Sequence, residues 1–405
     1  MSNLLRELAL VEYGASPKGV RVNYKSPFKI FGTGGVVGFA KTFLFQGPLI
    51  VVARKGTLDK PIYSEENCWV IDTAYAVLPK DGVNAKWLYY QLVNFDLRKL
   101  NEATAVPSIN RDYLYSIRFP NTPPPEQQSI AKILSTTDAV IENTKASIAK
   151  YKAIKQAMLQ DLFTRGIDIT TNQRRPRYED APELYKPSKL GWIPREWDAK
   201  EFGKEVDLIH GHQFRDSDFT EFGIPIVKIG QVKAENVELS NCSFVRAGRE
   251  EEFQNEIIRN GDVLMALTGA TLGKACLVKG LNNVVLQNYR VGRFEPIKKE
   301  NDIDKEFLYY LLIAGDLLTQ IFNKVNTGAQ GNIGKADFEK ATFIKPPFQE
   351  QLRIAEKLRT IDTKLQTEQR YLQKLQLLKK GLMEDLLSGK KSVKVEEEIL
   401  LRNEN

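Results

Sequence analysis

The sequence predicts an α+β protein: two globular domains of mixed α/β character joined by two long helices that form an antiparallel coiled coil. The whole reads as a pseudo-two-fold internal repeat. Three observations predict it. Two forty-residue stretches, 224 residues apart, share eleven identities. Each carries an apolar stripe whose spacing alternates four and three. Each follows a proline-rich break that closes a region of short β-like runs and glycine-rich turns.

The repeat aligns without a gap from Glu126 to Arg165 against Glu350 to Gly389. The identities are Glu126, Gln127, Ile130, Ala131, Leu134, Thr136, Asp138, Lys150, Lys155, Asp161 and Leu162 with their partners. Pro123-Pro124-Pro125 precedes the first copy and Pro346-Pro347 the second. A looser match lies upstream, where Trp87-Leu88-Tyr89-Tyr90-Gln91-Leu92 faces Phe307-Leu308-Tyr309-Tyr310-Leu311-Leu312 and Phe119 faces Phe343. Farther upstream the halves diverge almost completely, so a duplicated frame is expected to carry two dissimilar inserts.

The first stripe runs through Ile130, Leu134, Ile141, Ile148, Tyr151, Met158 and Leu162, with Thr137, Thr144 and Lys155 between them. The second runs through Ile354, Leu358, Ile361, Leu365, Leu372, Leu375, Leu382 and Leu386, with Glu368 and Lys379 between. No proline interrupts either, and Gly381 is the only glycine inside. Each is therefore a helix of about forty residues, roughly 60 Å long. Such a helix draws most of its stability from packing, and its nearest partner is its own copy. If the second insert is compact, its exit lies near its entry, so the second helix returns along the first. On this reading one domain sits at each end of the pair, and the helices form its seam. Lys155 and Lys379 read as a frayed part of that seam, with ammonium groups reaching solvent, in preference to a device that fixes register.

The expected organisation is a first domain over 1–122, a first helix over 123–166 and a polar linker over 167–188. A second domain over 189–345, a second helix over 346–391 and a mobile charged tail over 392–405 complete it. The β-like runs Leu49-Ile50-Val51-Val52 and Asp262-Val263-Leu264-Met265 predict an irregular sheet in each domain. At 42% hydrophobic and 27% charged residues the chain is not a disordered one. No apolar run reaches the roughly 18 residues of a membrane span. Arg6 and Glu7 interrupt the first leucines, which argues against a secretory signal. Cys68, Cys242 and Cys276 lie far apart, as in a reducing cytoplasm. A net charge of +7 points to a polyanionic partner, nucleic acid above all.

Enzyme motifs fail on inspection. Gly32-Thr33-Gly34-Gly35-Val36-Val37-Gly38 imitates a dinucleotide loop but no helical pattern follows it. Gly269-Ala270-Thr271-Leu272-Gly273-Lys274 is one residue short of a phosphate loop, and Ala275 replaces its hydroxyl. Lys345-Pro346-Pro347-Phe348 looks like the catalytic tetrapeptide of amino-group DNA methyltransferases, but lysine offers no acceptor for the target amine. His210 and His212 lack a companion cluster, so no metal or other cofactor is expected. DNA contact fits what remains. In the first insert the basic residues Lys18, Arg21, Lys25, Lys29, Arg54 and Lys55, with Lys41, interleave with Tyr24, Phe28 and Phe31. In the second, Lys228, Gln231, Lys233, Thr268, Lys274, Gln330 and Asn332 are the candidates. Lysines would neutralise phosphates, while Arg, Gln and Asn could read base edges.

The frame resembles the specificity subunits of type I restriction–modification systems. The resemblance spans the chain and rests on the proline-Glu-Gln-x-x-Ile-Ala opening of both helices and on Asp385-Leu386-Leu387-Ser388-Gly389-Lys390. It rests also on Gly191-Trp192-Ile193-Pro194 with Trp197, on Gly261-Asp262-Val263-Leu264, and on Thr327-Gly328-Ala329-Gln330-Gly331-Asn332-Ile333. The first insert is shorter and lacks the Gly-Trp-x-Pro opening. The resemblance implies two target-recognition domains, each reading half of a split double-stranded DNA target, and a helical spacer that docks two methyltransferase subunits. It implies restriction-motor subunits as further partners, phage defence in the cytoplasm, no membrane, and no catalytic residues in this chain. The rival readings are a self-contained DNA methyltransferase and a coiled-coil scaffold without DNA binding.

Overall fold

The computed structural model describes residues 2–102, 106–298, 300–323 and 331–393. The chain divides into two compact units: residues up to 148 with those from 368 on, and residues 149–367. Each unit thus owns one globular domain and a part of both long helices.

In the first unit β1 (Ser2–Leu4) leads through the single turn α1 (Leu5–Leu8) into β2 (Ala9–Tyr13). Then come β3 (Arg21–Val22), β4 (Phe28–Gly32), β5 (Gly35–Ala40), β6 (Leu49–Ala53), β7 (Ile62–Ser64), β8 (Cys68–Val70) and β9 (Ala74–Pro79). Helices α2 (Ala85–Asn94) and α3 (Arg111–Tyr115) and strand β10 (Arg118–Pro120) close the domain. An antiparallel sheet has the order β2-β9-β6-β7, and a second has the order β3-β5-β4-β8 with β4 and β8 parallel. β1 pairs with β10. The β6 run Leu-Ile-Val-Val-Ala is buried throughout, because alternate side chains go to opposite faces. Ile50 and Val52 join Trp87 and Leu88 of α2. Leu49 and Val51 join Phe31 and Val70 of the other sheet.

The first long helix is α4 (Pro124–Thr164), opened by prolines that have no N–H to leave unsatisfied. After it, β11 (Ile167–Asp168) pairs with β12 (Gln173–Arg174), and β13 (Tyr185–Ser188) with β14 (Gly191–Pro194). Residues 167–188 are therefore folded onto the second unit, with Arg175 and Tyr185 buried.

The second domain comprises β15 (Asp198–Glu201), β16 (Val206–His210), β17 (Phe219–Thr220), β18 (Ile224–Val227), β19 (Ser243–Val245) and β20 (Val263–Ala266). It continues with β21 (Ala275–Leu277), β22 (Leu286–Gln287), β23 (Val291–Pro296), α5 (Lys305–Ile313), α6 (Asp316–Phe322), α7 (Lys335–Glu339) and β24 (Thr342–Lys345). The second long helix, α8, spans Phe348–Leu387. The sheets have the orders β16-β23-β20-β21 and β17-β19-β18-β22, with β18 and β22 parallel, and β15 pairs with β24. This repeats the first domain strand for strand. The expectation of dissimilar inserts needs correcting: they differ in sequence and share one topology. The first is shorter within that shared topology: β1 to β10 spans Ser2 to Pro120, whereas β15 to β24 spans Asp198 to Lys345.

Each unit also shows why the helix opening recurs. The Gln127 side chain accepts from Asn84 N at 2.8 Å and donates to Thr122 O at 2.8 Å. Gln351 accepts from Asp304 N at 3.0 Å and donates to Pro346 O and Asp302 O at 2.9 Å. Asn84 and Asp304 are the N-caps of α2 and α5, so one buried amide ties a long helix to the Leu-Tyr-Tyr helix in each unit. Beside it, Ile130, Ala131 and Leu134 share a core with Leu386 and Leu387. Ile354, Ala355 and Leu358 share one with Leu159, Leu162 and Phe163. In each unit, then, the start of one helix lies against the end of the other, which is antiparallel pairing. Ile141, Ile148, Ile361, Leu365 and Leu375 are buried along the stripe, while Tyr151, Met158, Leu372 and Leu382 are half-buried.

The matched lysines are not frayed. Lys379 Nζ lies 2.6 Å from Asp138 Oδ1, and Tyr90 Oη donates to Asp138 Oδ2 at 2.8 Å. In the other unit Lys155 Nζ lies 2.6 Å from Asp362 Oδ1, and Tyr310 Oη donates to Asp362 Oδ2 at 2.9 Å. Each ammonium also stands over its tyrosine ring, at 5.7 Å and 5.8 Å from the centroid. Burial first, and then the neighbouring aspartate, pushes both phenols well above their ordinary pKa, so each stays a donor. The solvent-reaching reading of these lysines fails because it looked at one helix at a time, and the acid that holds each lysine is on the other.

Candidate nucleic-acid interface

The second domain carries a concave site of about 680 Å³ at the end of its larger sheet. It is lined by His210, Ile229, Leu267, Thr268, Gly269, Tyr289, Arg290, Gly331 and Asn332. Three chain segments converge there because of backbone pairing. Leu267 N donates to Arg290 O, Ile333 N donates to Leu267 O, and Thr268 bridges Asn332. The His210 ring nitrogen Nδ1 lies 3.2 Å from Tyr289 O, and Arg290 Nε donates to Tyr289 Oη at 2.6 Å. Thr268 Oγ1 is buried without a hydrogen-bond partner among the described residues. The wall thus offers a guanidinium, a primary amide, a hydroxyl, an imidazole and a phenol ring. That set suits base edges: arginine presents a fork to guanine and asparagine a donor–acceptor pair to adenine.

The shared topology locates the corresponding place in the first domain. Tyr13 ends β2 as His210 ends β16, and Lys55 bridges Ser108 as Thr268 bridges Asn332. Arg54 N donates to Thr73 O, and Ile109 N to Arg54 O, which is the same pairing again. The residues differ. The Tyr13 ring has the Arg54 guanidinium at 5.6 Å and that of Arg111 at 5.0 Å, with the Tyr75 ring at 5.1 Å. Burial, and then Tyr13, pushes the Tyr75 phenol up to about 12. Here the wall is cationic and aromatic, suited to phosphates and base faces.

Of the residues the sequence nominated, Arg54 and Lys55 fall at the first site and Thr268 and Asn332 at the second. Gln330 lies outside the described residues. Lys228 and Gln231 flank Ile229, which lines the second site, but Lys228 Nζ is held by Ser243 Oγ at 2.7 Å over the Phe219 ring. Lys233 pairs with Glu238, and Lys274 is exposed beside β21. Arg21 and Lys29 lie on the smaller sheet, Lys29 paired with Glu66 at 3.0 Å, while Lys18 and Lys25 are exposed in its loops. Tyr13 and Arg111 at the first candidate site, and His210, Tyr289 and Arg290 at the second, were not nominated for DNA contact from the sequence. Their one sequence signal is position: His210 and Tyr13 each end a strand just before a glycine.

The rejected motifs have plain structural roles. Gly32 to Gly38 is the β4–β5 hairpin, and Gly269 to Lys274 joins β20 to β21 through a single 3-10 turn, Gly269–Thr271, with no α-helix after it. Lys345 binds Glu205 and Asp302, each at 2.6 Å. His212 packs its ring against Phe214 and Phe253. Among the described residues no group of three His, Cys, Asp or Glu could hold a metal ion, and no helix is long and apolar enough to cross a membrane.

Comparison with known proteins agrees with a doubled recognition unit. The family model described as "Type I restriction modification DNA specificity domain" matches twice, at residues 12–153 and 194–377. The chain is 28% identical over 313 residues to the type I restriction enzyme MjaVIII specificity subunit of Methanocaldococcus jannaschii, covering 76% of this chain and 70% of the relative. It is 26% identical over 332 residues to the putative MjaX specificity subunit of the same organism, covering 78% and 70%. Among solved structures, the crystal structure of a type I restriction–modification S subunit from M. genitalium superposes with a TM-score of 0.65 at 16% identity over 96% of both chains.

Proposed function

The chain belongs to the type I restriction modification DNA specificity family, and from that premise we propose that its two domains each read one half of a bipartite duplex target. It is a recognition subunit and not itself an enzyme. The methylating and cleaving activities belong to partner subunits. The observation that carries the reading is the same site built twice on one scaffold from different residues. A single topology presents Tyr13, Arg54, Lys55 and Arg111 in one domain and His210, Thr268, Tyr289, Arg290 and Asn332 in the other. Equal scaffolds dock on duplex DNA in the same way, and unlike walls read unlike words.

On this reading the exposed Lys18, Arg21, Lys25 and Lys274 neutralise phosphates and set affinity, with the salt dependence that counterion release brings. The paired helices hold the unread gap between the words and offer the surface on which two methyltransferase subunits dock, joined in turn by the restriction-motor subunits. Lengthening each helix by one heptad would move the readers by roughly 10 Å, or about three base pairs along the duplex. The test is to map methylated positions in cells with and without this gene, alongside its methyltransferase partner. A bipartite motif that disappears on deletion is the expected result. A motif that persists, or one without a gap, contradicts the reading.

A further inference from the structure

The two Lys–Asp–Tyr stations share no residue with the proposed recognition sites and match each other part for part. Each joins three elements at one carboxylate. Asp138 of α4 holds Tyr90 of α2 and Lys379 of α8. Asp362 of α8 holds Tyr310 of α5 and Lys155 of α4. Each thus bolts a globular domain to both long helices at once. Moving 17 residues along α4 from Asp138 to Lys155 moves 17 back along α8 from Lys379 to Asp362, so both obey one antiparallel register.

We propose that these stations are the positioning residues that fix target spacing, by admitting a single register of the helix pair. The inference rests on the function proposed above. An apolar stripe repeats every heptad and by itself tolerates slippage, whereas a polar group in the seam selects one alignment. Slipping α8 by one heptad would set Asp138 against Leu372 or Leu386, and Asp362 against Ile148 or Leu162. Lys155 would then face Ala355 or Gln369, and Lys379 would face Ala131 or Lys145. Either way all four charges lose their partners. The tyrosines prevent a second kind of error, in which the helices keep register but a domain shifts along them.

The test replaces both stations in the full chain with apolar residues of similar size: Asp138→Leu, Asp362→Leu, Lys155→Met, Lys379→Met, Tyr90→Phe and Tyr310→Phe. Both ion pairs are only partly buried, and exchanging such a pair for apolar side chains of similar size costs little, so melting should change little. Register is read without DNA by thiol cross-linking, pairing a cysteine at Ile141 in turn with one at Gln369, Gln376 or Met383, in a Cys242→Ser background. Spacing is read by methylation, with the methyltransferase partner, of plasmids carrying the two half-words at a series of gaps. The parent should cross-link only 141 to 376 and modify a single gap. The variant should also cross-link 369 or 383 and raise modification at gaps about three base pairs away at least tenfold. A folded variant that keeps the single cross-link and the single gap overturns the proposal. A variant whose cross-links spread while even the parent shows no bipartite methylation supports the register device and contradicts the proposed function instead.

Discussion

Replacing Glu350 with alanine should cost far more than the same change at its repeat partner Glu126. Glu350 is 1% exposed and accepts four hydrogen bonds. Arg175 supplies two, at 2.5 and 3.0 Å, Trp197 Nε1 one at 2.9 Å, and Ile167 N one at 2.8 Å. Arg175 itself is only 9% exposed, so its guanidinium would be left buried with only the exposed Glu196, 3.6 Å away, as counter-charge. That loss is worth about 3–5 kcal/mol, and the orphaned indole and amide N–H groups add to it, giving about 5 kcal/mol in all. For a folded unit of roughly 200 residues each kcal/mol lowers melting by about 2–4 °C, so a fall of about 10–20 °C is expected. Glu126 is half-exposed and accepts one bond, from Val393 N at 3.2 Å. Its replacement should cost about 1 kcal/mol and a few degrees. Differential scanning calorimetry on the two variants makes the comparison. Adding Arg175→Met to Glu350→Ala should recover part of the loss, because no charge then stays buried. Equal shifts at the two sites, or a Glu350→Ala shift under about 2 °C, would refute the reasoning.

Other outcomes follow from the same geometry. Gly166→Ala should unfold the junction after α4 by more than about 2 kcal/mol. At φ +63° its new Cβ would lie 2.1 Å from Glu350 Oε1 and 2.3 Å from Trp197 Cζ2. An unchanged melting point would show that the site has room. Arg290→Ala or Asn332→Ala should relax one base of one half-word by about 1–3 kcal/mol in a methylation series over single-base target variants. Lys18→Ala should instead weaken all targets alike and reduce the salt slope by about one. Burial pushes the thiols of Cys68 and Cys276 up to about 11 and about 12. Each therefore favours the fold fully below pH 9, the ordinary thiol value, and that contribution is lost as pH climbs toward those raised values. Iodoacetamide at pH 8 should label the half-buried Cys242 well before either, as mass spectrometry would show.

The helices were legible because their constraints are local and repeated. Gln127 and Gln351 must bind the same caps, and Ile130 and Ile354 the same kind of core, so residue identity survives at a fixed offset of 224. The duplicated topology of the inserts was not legible. β6 reads Leu-Ile-Val-Val-Ala and β20 Val-Leu-Met-Ala, and a buried strand asks only for apolar residues that fit a pleated, covered surface. The proposed recognition sites were half legible for a related reason. Basic residues announce themselves by charge, but Tyr13, His210, Tyr289 and Arg290 acquire a role only when strand pairing gathers them. Lys155 and Lys379 show the reverse. Both lysines and both aspartates stood among the identities, yet their pairing crosses between helices and no single-helix stripe displays it.

The central claim is that two equivalent domains read separately, and exchange of one domain tests it most directly. Residues 189–345 would be replaced by the corresponding segment of a relative with a known target. Methylated positions would then be mapped in cells that hold the methyltransferase partner. The account predicts a motif in which one half-word is new while the other half-word and the gap are unchanged. A motif altered in both halves, or a changed gap with both words kept, would contradict it.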